Sequence, residues 1–142
     1  MLGDSKAAHA SHTVEEHTGE LKLRIEAPTL PEIFAEAGRA LAEAMGAPTS
    51  GGPLVAKRIE VDASDREALL VDWLNELVFL SEVEKVVFQQ FRIELPSERR
   101  LVAHLSGVKV ERLRNPVKAA TYHALAIWER PDGFVATVVL DV

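Results

Sequence analysis

The 142-residue chain contains no cysteine. Disulfides, thiolate metal sites and cysteine nucleophiles are thereby excluded. No block of lysine or arginine occurs, and 22 acidic residues against 16 basic ones give a formal net charge of −6. Neutralising a phosphate backbone takes clustered positive charge, so a free-standing RNA- or DNA-binding role is disfavoured and no sequence-specific nucleic-acid contact is expected. No apolar stretch reaches the ~20 residues that cross a bilayer, so no membrane association is expected. The N-terminus is too polar for a signal peptide, which makes the cytoplasm the expected compartment. The phosphate-binding G-x-x-x-x-G-K-[ST] and G-x-G-x-x-G loops are missing, as are G-x-S-x-G and H-E-x-x-H. No self-contained nucleotide site or zinc-protease helix is therefore encoded in its usual form.

What is present is ordinary globular material, 47% apolar and 27% charged, without a repeat or a low-complexity segment. The length suits one domain with a sizeable core. Residues 1–12 are small, polar and aperiodic and read as a flexible tail, whose His9 and His12 suit metal binding but are more commonly solvated residues. A single domain then runs over 13–142. Leu21, Leu23 and Ile25 alternate with Lys22, Arg24 and Glu26, the pattern of a half-buried strand. Thr29 with Glu32 forms a capping box, and Ile33, Phe34, Ala37, Leu41, Ala44 and Met45 lie at helical spacing behind it. Thr49 to Pro53 is a flexible loop.

Leu54, Ile59 and Val61 mark another strand, and Ser64 with Glu67 opens a second helix carrying Leu69, Leu70, Trp73, Leu74, Leu77 and Leu80. Four strand-like runs follow: Val86 to Leu95 with a bend, Leu101 to Leu105, Val117 to Trp128, and Phe134 to Leu140 after a Pro131-Asp132-Gly133 turn. The order β-α-β-α-β-β-β-β predicts an α+β fold, a largely antiparallel sheet with two helices packed on it.

Three constellations bear on chemistry. Glu20 opens the first strand after Glu16-His17-Thr18-Gly19, and the chain closes on Leu140-Asp141-Val142. The start of a strand lies opposite the end of its antiparallel partner. If the first and last strands pair, Glu20 meets Asp141 and the terminal carboxylate of Val142. Three converging carboxylates require a neutralising cation, and an oxygen-ligated Ca²⁺ or Mg²⁺ suits them better than zinc. If the strands do not pair, Glu20 is a solvated surface residue.

The second constellation is Val117 to His123, where alternation sets Lys118, Ala120 and Tyr122 on one face and Thr121 and His123 on the other. A lysine near a tyrosine, or a histidine beside a threonine, suits acid–base chemistry, but these are also ordinary strand residues. The third is Asp72, Asn75 and Glu76 along one side of the second helix, a site-facing set or a solvated face.

In series, these segments resemble the archease family. The matching pieces are His17-Thr18, the run L-V-D-W-L-N-E-L from Leu70 to Leu77, V-K-A-A-T-Y-H from Val117 to His123, and the final L-D-V. The resemblance runs from about Val14 to Val142. It implies a small cytoplasmic α+β protein that co-activates an RtcB-type RNA ligase in tRNA splicing and RNA repair. Such a protein promotes attachment of GMP to the ligase and repeated turnover, and is not itself the ligase.

The resemblance also implies a divalent cation, Ca²⁺ first and Mg²⁺ or Mn²⁺ as substitutes, at positions corresponding to Glu20, Asp141 and Val142. No tightly bound organic cofactor is implied. His17, Lys118 and His123 are the further functional candidates, Lys118 toward the nucleotide or the ligase's phosphoryl chemistry. The chain departs from the pattern at three places: H-T-G-E stands for H-T-A-D, Lys22 for a small residue, and Pro116 for a glutamate. Two other readings remain open, a general chaperone or protein-interaction module and a small metal-dependent enzyme using Lys118, Tyr122 and His123.

Overall fold

A computed structural model describes residues 9–48 and 52–142. Among the described residues, seven strands and two helices follow in the order β1 (Ser11–His17), β2 (Glu20–Ala27), α1 (Leu30–Ala44), β3 (Leu54–Asp62), α2 (Arg66–Glu84), β4 (Val86–Ser97), β5 (Arg100–Lys109), β6 (Ala119–Arg130) and β7 (Gly133–Asp141). From β2 onward this is the order read from the sequence, and every strand pairing is antiparallel.

Two features differ from that reading. The strands form two sheets, β1-β2-β7-β6 and β3-β5-β4. The extra strand, β1, begins inside the segment expected to be a tail. It pairs along its whole length with β2, from Ser11 opposite Glu26 to His17 opposite Glu20. Gly19 sits at φ 77° in the connecting turn, a conformation glycine adopts without steric cost. Residues 1–8 of the expected tail, and Thr49 to Gly51 of the expected loop, lie outside the described residues.

Local chemistry sets the helix ends. Thr29 caps α1: its hydroxyl accepts the Glu32 N–H and donates to the Glu32 carboxylate. This is the predicted capping box, and Pro31 is tolerated because it lies in the first turn. At α2 the cap is Asp65 rather than Ser64, its carboxylate accepting the Ala68 N–H at 2.8 Å. A carboxylate at a helix N-terminus also meets the positive end of the dipole.

Both helices touch both sheets, α1 chiefly through β4 and β2 and α2 chiefly through β6. One continuous core results, with Trp73, Phe34, Leu23, Ile25, Leu70, Leu101 and Leu140 fully buried in it. The indole N–H of Trp73 donates to the Phe34 carbonyl at 2.9 Å, so α2 is tied to α1 through the one polar atom of its largest core side chain. Trp73 also meets Phe91 of β4 edge-on, with ring centroids 5.9 Å apart and planes at 82°. Gly38 lets α1 come close to that same ring. A Cβ at Gly38 would stand 2.9 Å from Phe91 ring atoms.

Candidate functional site

At one end of the four-stranded sheet the register aligns a row of residues. His17 on β1 lies opposite Glu20 on β2, Glu20 opposite Asp141 on β7, and Asp141 opposite Ala119 on β6. Directly opposed residues share a face of the sheet. Leu21 and Leu140, the next pair inward, point to the core side, so this row faces away from it. The strand that Glu20 opens and the closing strand therefore do pair, and Glu20 does meet Asp141.

Two further bonds fix the strand end. The Val142 N–H donates to the Gly19 carbonyl at 3.0 Å, and the Lys118 N–H donates to the Asp141 carbonyl at 2.8 Å. Lys118 thus enters the site through its backbone, and its side chain is exposed. His17 is exposed as well, its ring 3.8 Å from Glu15.

Neither Glu20 nor Asp141 has a basic partner within ion-pair distance among the described residues. Opposed like charges on adjacent strands repel, which leaves the pair with a need for positive charge. All-oxygen donors of this kind suit a hard divalent cation, which takes further oxygens from backbone and water. Among the described residues no group of three His, Cys, Asp or Glu side chains converges as a metal cage, so the side-chain donors here are the two carboxylates.

His123 and Tyr122 are not brought into this row. Pairing of β6 with β7 stops at Thr121–Val139 and resumes at Ala126–Thr137. Residues 122–125 therefore face the single residue Val138, and the excess chain bulges out. Ala124 adopts φ 54° in the bulge, and the Thr137 hydroxyl donates to its carbonyl at 2.9 Å. The predicted alternation fails here for that reason: Ala120 is buried in the core while Tyr122 is 62% exposed. His123 is exposed beside it. The expected division, Lys118 and Tyr122 on one face and Thr121 and His123 on the other, does not survive the bulge.

The helical polar set divides too. Asn75 is not a solvated residue. Its amide N–H donates to the Ala120 carbonyl at 3.2 Å, and its amide oxygen accepts the Ala120 N–H at 2.8 Å. It thereby satisfies backbone groups on the free edge of β6 and braces the strand that runs out of Lys118 and Ala119.

A second polar centre escapes the sequence pattern. Glu36 of α1 is buried, and His12 of β1 reaches it with Nδ1 at 2.6 Å while Nε2 stands 3.3 Å from Glu43. The Arg39 guanidinium adds a bond to Glu36 at 2.8 Å. Burial alone would push the Glu36 carboxyl upward, but the His12 and Arg39 bonds outweigh it and hold the group below its ordinary range. His12 sits opposite Ile25, on the helix-facing side of β1, so this cluster pins the edge strand to α1. Only the H-T-V pattern around His12 hints at it, because alternation with Val14 sets both toward the core side.

The chain matches the archease protein family (MTH1598/TM1083) over residues 12–142. It is 33% identical over 135 residues to the protein archease of Methanosarcina barkeri, covering 89% of this chain and 92% of that one. It is 31% identical over 120 residues to the protein archease of Methanothermobacter thermautotrophicus, covering 80% and 85%. The solution structure of Methanobacterium thermoautotrophicum protein 1598 superimposes with a TM-score of 0.74 at 27% identity, over 92% of this chain and 98% of that one. The crystal structure of a Thermotoga maritima archease, described as a possible chaperone, shares the fold with a TM-score of 0.65 at 23% identity, over 94% and 99%. The chain belongs to the archease family.

Proposed function

We propose that this protein is an accessory factor that stimulates guanylylation and multiple turnover of an RtcB-type RNA ligase in tRNA splicing and RNA repair. It acts in the cytoplasm through a protein partner and contributes no catalytic residue of its own. Family membership supports the class of function. The observation that carries the site is the direct opposition of Glu20 and Asp141 with no basic side chain to neutralise them among the described residues.

In this reading Glu20, Asp141 and Val142 hold a divalent cation, Ca²⁺ first. When bound, such an ion supplies positive charge between the carboxylates and fixes the strand end against the turn at Gly19. Glu20 is one methylene longer than an aspartate, and its side chain reaches farther out from β2 toward the ion. In this reading the exposed ammonium of Lys118, whose backbone N–H bonds the Asp141 carbonyl, meets phosphoryl oxygens of the ligase's nucleotide. His17, at the other end of the row, contacts the partner protein, and so does His123 on the β6 bulge.

The test is multiple-turnover RNA ligation by a purified RtcB-type ligase with GTP and a divalent metal, with this protein substoichiometric. Stimulation supports the proposal, and its absence with a folded protein and an active ligase removes it. The description of the Thermotoga maritima relative as a possible chaperone favours a second reading, a general chaperone or interaction module. Suppressed aggregation of unrelated proteins without any ligase effect would select that one.

A further inference from the structure

The outer face of the three-stranded sheet carries a second row of polar residues. Arg58 on β3 lies opposite His104 on β5, and His104 opposite Arg92 on β4. Directly opposed residues share a face, and adjacent strands stand ~4.8 Å apart. Ala103 and Leu105, which flank His104 in sequence, are buried, so the row points away from the core. The next row is Ala56, Ser106 and Gln90, with the Ser106 hydroxyl donating to the Gln90 side-chain oxygen at 2.9 Å.

The charges in the row are not equally engaged. Arg58 is bonded to Glu60 at 2.7 Å, and Glu60 is shared with Arg100, which also reaches Asp62 at 3.3 Å. Those four charges cancel. Arg92 and His104 have no ion-pair partner among the described residues. A guanidinium left open beside an imidazole presents directional donors to an anion, in a chain whose net charge is −6.

Space accompanies the charge. A depression of about 420 Å³ is lined by Arg92, His104, Ser106 and Gln90. A second, of about 350 Å³, shares Gln90 and Ser106 and has Leu54, Ala56 and Gln89 among its other lining residues. Leu54 is 84% exposed, a large aliphatic side chain left in water at the edge of this shelf. An anion-accepting end joined to an apolar end, at small-molecule size, fits a ligand with a phosphate at one end and a ring at the other. On the other side of the arginine row stands Glu94, opposite Val102 and without an ion-pair partner among the described residues. A long polyanion laid across the sheet meets its repulsion, whereas a single phosphate does not.

We propose that this sheet face binds a phosphomonoester of mononucleotide size, its phosphate on Arg92 and His104 and its ring on the shelf of Leu54 and Ala56. The site lies on the other sheet from Glu20 and Asp141, and the proposal does not depend on ligase activation.

The experiment is a titration of isotope-labelled full-length protein with AMP and GMP at physiological ionic strength, followed by NMR, with the nucleosides and inorganic phosphate as separate arms. Saturable shifts at Leu54, Arg92, His104 and Ser106 are expected from the mononucleotides. Nucleosides and inorganic phosphate should each bind at least about tenfold more weakly, the loss of a charge-assisted contact at one end or of apolar burial at the other. Arg92→Ala, an exposed change, should abolish saturation while leaving the spectrum of the core unchanged. Unsaturable shifts, equal binding by Arg92→Ala, or inorganic phosphate binding as tightly as the mononucleotides would each overturn the proposal.

Discussion

Asn75 pairs its side-chain amide with both backbone groups of Ala120, at 2.8 and 3.2 Å, as a neighbouring strand would. The bond spans α2 and the edge of the four-stranded sheet, one residue from the strand position opposite Asp141. Asn75→Ala leaves a half-buried N–H and C=O without partners, which costs about 1–3 kcal/mol. Urea unfolding should show that loss, and hydrogen exchange should show faster opening at Ala120. Asn75→Asp should not recover it, because a carboxylate accepts the Ala120 N–H but repels the Ala120 carbonyl.

Glu36 makes stability depend on acid. Burial raises its pKa, and the His12 and Arg39 bonds more than reverse that, so the folded value lies below the unfolded one. A depressed carboxyl contributes stability that is fully present above its unfolded pKa and is lost as pH falls through the folded value. Urea midpoints measured from neutral pH down through the carboxylate range should fall more steeply for the wild type than for Glu36→Gln. His12→Ala removes one charge-assisted bond, costs about 1.5–3 kcal/mol, and should release β1 first in hydrogen exchange.

Gly38 is set by the Phe91 ring, not by helix geometry. In an open helix, Gly→Ala stabilises by about 1 kcal/mol. Here the added methyl meets ring atoms at 2.9 Å, and the ring is held edge-on against Trp73. Overpacking of this kind costs about 1–3 kcal/mol, so Gly38→Ala should be net destabilising in thermal unfolding. Adding Phe91→Leu should recover part of the loss, a coupling a double-mutant cycle reads directly.

Much of this arrangement is legible in the residue pattern alone. Hydrophobic period places both helices and six of the seven strands, and Glu20 and Asp141 can be matched because each sits at the outermost position of its strand. β1 is not legible, for a physical reason. Ser11–His17 holds a single aliphatic residue, and it is a strand because the Gly19 turn folds it onto β2, not because of its own pattern. His12 reads as a solvated tail residue until Glu36, 24 positions later, is brought against it. The β6 bulge is invisible to alternation, since Tyr122 and His123 are good strand residues whose pairing is interrupted by the extra chain length opposite Val138. The split into two sheets depends on which edges pair, and single-strand patterns do not encode that.

The Glu20–Asp141 pair predicts a specific ion response. With chelator present, the two carboxylates repel, so Glu20→Gln should unfold at a slightly higher temperature than the wild type. Ca²⁺ at 100 times its dissociation constant should stabilise the wild type by about 2.7 kcal/mol. The variant should respond weakly or not at all. Equal Ca²⁺ shifts in both proteins would place the ion elsewhere.

The most direct test of the central claim is multiple-turnover ligation by an RtcB-type RNA ligase with GTP, comparing this protein with its Asp141→Ala variant at the same substoichiometric ratio. The account predicts stimulation by the wild type and its loss in the variant, with circular dichroism unchanged. Equal stimulation by the two proteins would contradict it, because activation would then not pass through the carboxylate pair at the sheet end.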